Sequence, residues 1–112
     1  MKKIEAIIRP EKLGVVRAAI NAVGYEGLNI TDVRGHGKQK GLTQQYRGQT
    51  FNVDILPKVK IELVTTDASV QKLVTAITEA ARTGAVGDGK IFISTIDDAV
   101  RIRTGESGDK AL

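Results

Sequence analysis

The run Gly84-Ala-Val-Gly-Asp-Gly-Lys90, followed at once by Ile91-Phe-Ile-Ser-Thr95, decides how the rest of the chain is read. Glycines let backbone N–H groups come close to an anion, and a terminal lysine adds a cation, which is how a loop cradles phosphate. The spacing from Gly84 to Gly89-Lys90 meets the first part of a P-loop signature. A P-loop then needs Ser or Thr for the metal, and a helix. Here an apolar, β-prone run follows instead, so the loop leads into a strand. Taken alone, such a run reads equally well as a plain turn between a helix and a strand.

Working outward, Val70, Leu73, Val74, Ile77 and Ala81 form one apolar stripe of a helix, with Asp67 or Ser69 placed to cap its start and Arg82 and Gly84 at its end. Before it, Val59, Ile61 and Leu63 alternate with Lys58, Lys60, Glu62 and Val64, as in a half-buried strand. The N-terminal half repeats the pattern. Lys3 to Arg9 reads as a strand with Ile4, Ala6 and Ile8 on one face and Glu5 and Ile7 on the other. Pro10 suits a first helical position, Leu13, Val16, Ala19, Ile20 and Val23 form the next stripe, and Gly24 suits its stop. Leu28 to Gly35 reads as a second strand. From His36 to about Asp54 the periodicity dissolves into glycine and polar residues, and a loop of that length inside a compact domain is usually functional. The order strand, helix, strand, long loop, strand, helix, strand predicts an α+β chain with the ferredoxin-like βαββαβ arrangement, two helices on one face of a four-stranded antiparallel sheet. Apolar positions such as Ile7 and Val64 on the opposite face predict self-association.

Composition narrows the function. At 112 residues the chain is a single domain. It has no cysteine and one histidine, His36, which excludes disulfides, thiolate chemistry and multi-histidine metal sites. No stretch approaches a transmembrane span, and the N-terminus does not read as a signal peptide, so a cytoplasmic protein is expected. The net charge of +4, from 17 basic and 13 acidic residues, is mild and spread along the chain. With two Phe, two Tyr and no Trp there is little to stack on bases. An anionic small molecule is the expected ligand, and no nucleic acid.

Four stretches together carry a family resemblance. They are Met1-Lys-Lys-Ile-Glu-Ala-Ile-Ile-Arg-Pro10, Gly37-Lys-Gln-Lys-Gly41 with Tyr46-Arg-Gly48, Ala81-Arg-Thr-Gly-Ala-Val-Gly-Asp-Gly-Lys-Ile-Phe-Ile93, and Arg101-Ile-Arg-Thr-Gly-Glu106. Across essentially its whole length the chain resembles the PII signal-transduction proteins, the GlnB/GlnK family. The resemblance implies a non-enzymatic homotrimer with three clefts between subunits that bind ATP or ADP. It also implies Mg²⁺ with ATP, 2-oxoglutarate as a further effector, and a long T-loop, here about 37–55, that docks on targets. The glycine loop at 82–90 corresponds to the B-loop and about 102–112 to the C-terminal loop. The implied partner is an ammonium channel, another membrane transporter or a metabolic enzyme, which would recruit the cytoplasmic protein to the membrane without insertion.

Carried over by motif, the resemblance puts Gly87, Asp88, Gly89 and Lys90 around the phosphates, joined by Arg101 and Arg103 from a neighbouring subunit and by Gly37 and Lys38. Ile7, Gly35, Glu62 and Val64 correspond to the adenine and ribose lining. Gln39 corresponds to the side chain that helps hold magnesium, and Gln39, Lys40, Gly41, Lys58 and Gly87 to the 2-oxoglutarate pocket. Tyr46, Arg47, Gly48 and Phe51 fall in the docking loop. Several positions depart from the family. Phe51 stands where many bacterial members have a tyrosine that accepts a nucleotidyl group, and phenylalanine has no hydroxyl to modify. Gln49 replaces a serine phosphorylated in some photosynthetic relatives. His36 replaces an apolar, often aromatic residue beside the keto-acid pocket, and Asn29 a hydroxyl residue near the adenine. The alternatives are an adenylate-only energy sensor, a weak ATPase, and an RNA-binding ferredoxin-like module. The missing Ser/Thr after Lys90 weighs against the second and the scarcity of aromatics against the third.

Overall fold

A computed structural model describes residues 1–25, 27–36, 42–46, 49–53 and 55–112, with 42–46 and 49–53 described at the level of the backbone. Its strands are β1 (Lys2–Ile8), β2 (Asn29–His36), β3 (Leu42–Tyr46), β4 (Gln49–Val53), β5 (Ile55–Thr65) and β6 (Lys90–Thr95). Its helices are α1 (Leu13–Val23) and α2 (Val70–Ala81). The main sheet has the order β2-β5-β1-β6, every neighbouring pair antiparallel, so the ferredoxin-like α+β expectation holds.

Each helix starts through a short 3-10 turn, Pro10–Lys12 before α1 and Asp67–Ser69 before α2. Pro10 opens the first of these. Neither Asp67 nor Ser69 makes a side-chain cap; the turn itself absorbs the first backbone groups of α2. Gly24 ends α1 in the left-handed region at φ 105°, while Arg82 leaves α2 with extended backbone.

The period-2 and period-3.6 patterns meet in one core. Ile4, Ala6 and Ile8 of β1 and Val59, Ile61 and Leu63 of β5 are buried against Val16 and Ile20 of α1 and Leu73, Ile77 and Ala81 of α2. Burying each large aliphatic side chain is worth about 1.5–3 kcal/mol. Thr65 is the buried polar residue among those described, and its hydroxyl donates to the Tyr25 hydroxyl, tying the end of α1 to the end of β5.

The opposite face of the sheet carries charge beside its apolar positions Ile7, Val64 and the exposed Phe92. Lys3 bridges Glu5 and Glu62 at 3.0 Å each, and Lys60 reaches Glu62 at 3.0 Å. Lys3 hydrogen-bonds hold the Glu62 carboxyl below its ordinary range.

One reading needs correction. The stretch 37–55 is not patternless throughout, because β3 and β4 pair antiparallel as a separate two-stranded sheet, from Leu42↔Val53 to Tyr46↔Gln49. A hairpin outside the main sheet lacks the alternation by which a core-facing strand is recognised. β5 also begins at Ile55, ahead of Pro57, as a strand paired along β2.

Candidate functional site

The loop between α2 and β6 turns on three glycines in the left-handed region, Gly84 at φ 90°, Gly87 at 101° and Gly89 at 103°. Gly89 is required twice over. Its φ disfavours any side chain, and a Cβ there would sit 1.7 Å from the Ile7 carbonyl oxygen. The loop is therefore pressed onto the end of β1, where Lys90 stands opposite Ile7 in the register.

Asp88 closes the loop from inside. Its carboxylate accepts from the Thr83 and Gly84 N–H groups at 2.9 Å each, from the Thr83 hydroxyl, and from Arg9 Nε at 3.1 Å. These donors, with Thr83 the largest, hold the carboxyl far below the usual aspartate range. Arg9 also donates from Nη2 to the Val86 carbonyl at 2.9 Å, and Lys58 Nζ donates to the Gly87 carbonyl at 2.7 Å. Burial, with the charge of Arg9 next, lowers the Lys58 pKa. A cleft of about 320 Å³ flanks the loop between α2 and β6; Val74, Ile77 and Ala81 line it, with Arg82, Asp88 and Lys90.

The predicted site residues fall into two groups. Ile7, Lys58, Gly87, Asp88, Gly89 and Lys90 gather at one end of the sheet, and Gly35 joins them, since its Cβ position would lie 3.2 Å from the Lys58 Cγ. Glu62 and Val64 pair with Glu5 and Lys3 farther along the same face. Val64 lies about 20 Å along β5 from Lys58 at the usual strand rise. The C-terminal stretch starts beyond the same far end, where the Ile96 N–H bonds the Met1 carbonyl. There Arg101 is tied into its own segment, Nη1 to Glu106 at 3.3 Å and Nη2 to the Leu112 carbonyl at 3.2 Å. Arg103 makes no ion pair among the described residues. Gly37, Lys38, Gln39, Lys40, Gly41, Arg47 and Gly48 lie outside the described residues, and Tyr46 and Phe51 lie on β3 and β4, where only the backbone is described. Among the described residues no cluster of His, Asp and Glu could by itself hold a metal.

Sequence reasoning missed Arg9 and Thr83 as parts of this loop. Arg9 reads locally as the end of a strand before a proline, and only its pairing partner 79 residues away shows its role.

The family described as Nitrogen regulatory protein P-II matches residues 1–106. The chain belongs to the P-II family. It is 56% identical over 112 residues to a nitrogen regulatory protein P-II of Cereibacter sphaeroides, covering all of both chains. It is 55% identical to nitrogen regulatory protein P-II 2 of Methanothermobacter thermautotrophicus, covering all of this chain and 97% of the relative. A P-II protein of Rhodospirillum rubrum is 54% identical over the full length of both. This P-II chain is thus a nitrogen regulatory, signal-transduction protein, and the glycine loop sits within the matched span. No helix among its described residues is long and apolar enough to cross a membrane.

Proposed function

We propose that this P-II chain is a non-enzymatic sensor that binds ATP or ADP in clefts shared between the subunits of a homotrimer. The observation that carries the reading is the split of its basic and glycine-rich groups between opposite ends of one sheet. A nucleotide is too short to touch both ends of one chain, but two chains packed by their open faces and ends can bring Gly87–Lys90 of one to Arg101 and Arg103 of the next. The anionic ligand accounts for the cations, and Lys90 and Arg103 are without ion pairs among the described residues. Arginine forks suit phosphate oxygens.

Magnesium enters with ATP. A hard cation carried on phosphate oxygens needs few protein donors, and Gln39 is the proposed protein ligand. 2-Oxoglutarate would bind beside it through Gln39, Lys40, Gly41, Lys58 and Gly87. The segment 37–55 would dock on a transporter or metabolic enzyme through Tyr46, Arg47, Gly48 and Phe51, and Phe51 leaves no hydroxyl for nucleotidylylation at that position.

Calorimetry with ATP tests the site: Lys90→Ala and Arg103→Ala each lose binding, and unchanged affinity in both overturns the assignment. Co-assembling the two inactive variants tests the sharing, because mixed trimers regain sites that have an intact Lys90 on one chain and an intact Arg103 on another. No regain means both groups serve one chain's own site.

A second reading, an adenylate-only sensor, is favoured by Lys58, which is already engaged on the Gly87 carbonyl. Titrating 2-oxoglutarate into protein saturated with Mg-ATP separates the two. Heat that disappears in Lys58→Ala supports the keto-acid site, and no heat at millimolar ligand supports the narrower sensor.

A further inference from the structure

The glycine loop is held both by its own bonds, Thr83 and Gly84 to Asp88, and by cations from outside it. Its carbonyls are drawn toward two cations distant in sequence, Val86 O toward Arg9 just after β1 at 2.9 Å and Gly87 O toward Lys58 on β5 at 2.7 Å. In a trans peptide the carbonyl of one residue and the N–H of the next point in opposite directions, and no cis peptide bond occurs among the described residues. Pulling the Val86 carbonyl inward therefore turns the Gly87 N–H outward, and pulling the Gly87 carbonyl inward does the same for the Asp88 N–H. Two successive outward N–H groups are the beginning of an anion-binding concavity. Arg9 contributes more than Lys58, because its other arm holds the Asp88 carboxylate at 3.1 Å, and that carboxylate closes the Thr83 and Gly84 N–H groups. The Arg9 and Asp88 side chains are 15% and 24% exposed, so both are committed to the loop rather than open to a ligand.

We propose that Arg9 is the positioning residue of the phosphate loop: it aims the Gly87 and Asp88 N–H groups at the nucleotide's phosphates without touching them. The proposal rests on the nucleotide reading above. It differs from a simple charge effect in a way that experiment can separate. Asp88 is an anion beside an anion site. If it acted by Coulomb repulsion alone, Asp88→Asn would tighten ATP binding. If it acts with Arg9 to shape the loop, Asp88→Asn weakens binding.

The test measures ATP, ADP and adenosine binding by calorimetry and competition for Arg9→Met, Arg9→Lys and Asp88→Asn, with a melting curve for each and amide spectra of the ligand-free proteins. Losing preorganisation should cost ATP and ADP about tenfold in affinity in Arg9→Met while leaving adenosine unchanged. Arg9→Lys, which keeps one of the two bonds, should fall between, and the double variant Arg9→Met/Asp88→Asn should be no worse than the weaker single, since both break one linkage. Unchanged ATP affinity in Arg9→Met, equal loss for ATP and adenosine, or tighter ATP binding in Asp88→Asn would each overturn the proposal. The amide spectra keep the two readings apart. If the native protein binds no ATP, the nucleotide reading fails, and with it Arg9's proposed ligand. The strut itself then stands if Arg9→Met shifts the Gly84–Lys90 amides and falls if it does not.

Discussion

The segments at the two ends of β6 differ in what holds them. Before the strand, the loop at 82–89 joins its local bonds from Thr83 and Gly84 to Asp88 with ties to residues far away in sequence, Arg9 just after β1 and Lys58 on β5, and Gly89 lies against the Ile7 backbone. After it, the segment from Asp97 onward is shaped by its own neighbours. The Gly108 N–H bonds the Asp98 carboxylate, Arg101 and Glu106 pair across a turn, and Val100 bridges Ser107. The first depends on the sheet for part of its hold. The second is held within its own segment and presents Ile102 fully exposed. Under the proposed function, a loop that aims backbone N–H groups would gain from long-range struts, and a basic arm reaching a neighbouring chain would gain from being self-contained.

The widest break in that contrast should come from Gly89→Ala. A Cβ would collide with the Ile7 carbonyl at a φ that L residues avoid, so the loop must lift from β1. A loss of roughly 3 kcal/mol or more is expected in urea unfolding, together with loss of ATP binding. A variant with native stability would show that the loop is not anchored there. Gly105→Ala, at φ 74° in the C-terminal turn but with open space around it, should lose only about 1 kcal/mol by the same measurement.

Next in size is the effect of acid on the loop. The Asp88 carboxyl in the folded chain is held far below its ordinary range by Thr83, Gly84 and Arg9. Its contribution to stability is therefore complete above the unfolded-state value of about 3.9 and is lost as pH falls below it toward the folded value. The stability difference between the native chain and Asp88→Asn should stay flat from neutral pH down to about 5 and shrink in stronger acid. A difference that changes across the neutral range would point to another group.

The smallest effect is expected from Glu106→Gln. The Arg101–Glu106 pair is 37% and 43% exposed at 3.3 Å, and exposed pairs contribute about 0–1 kcal/mol. Chemical unfolding should scarcely register the change. A loss comparable with that of Gly89→Ala would mean the arm is packed as tightly as the loop, and the contrast would collapse.

Much of the fold was legible because burial imposes periodicity. Ile4, Ala6 and Ile8, then Val59, Ile61 and Leu63, alternate because one face of each strand meets the helices. Leu73, Ile77 and Ala81 recur at helical spacing for the same reason. Gly24 was readable as a stop because few other residues take its φ cheaply. The β3–β4 hairpin escaped that logic, since its pairing lies outside the main sheet and leaves no core-facing stripe to read. Of the candidate site, the glycine run and its lysine stood out as residue types, and the strand after Lys90 separated the loop from a hydrolytic P-loop. The roles of Arg9 and Thr83 did not stand out, because nothing near them in sequence marks them as partners of Asp88.

By itself the sequence determined the order of the main-sheet strands and the two helices and which faces are apolar, which follow from local preference and from the spacing of residues along one chain; the P-II pattern came from the resemblance of its four stretches to that family. Only the tertiary structure decided that the loop's carbonyls and its aspartate are drawn inward by Arg9 and Lys58, and that the arginines of the C-terminal stretch depart from the far end of the sheet. The first depends on strand register, which brings residues 29 and 79 positions apart within hydrogen-bond reach, and no local pattern encodes that distance.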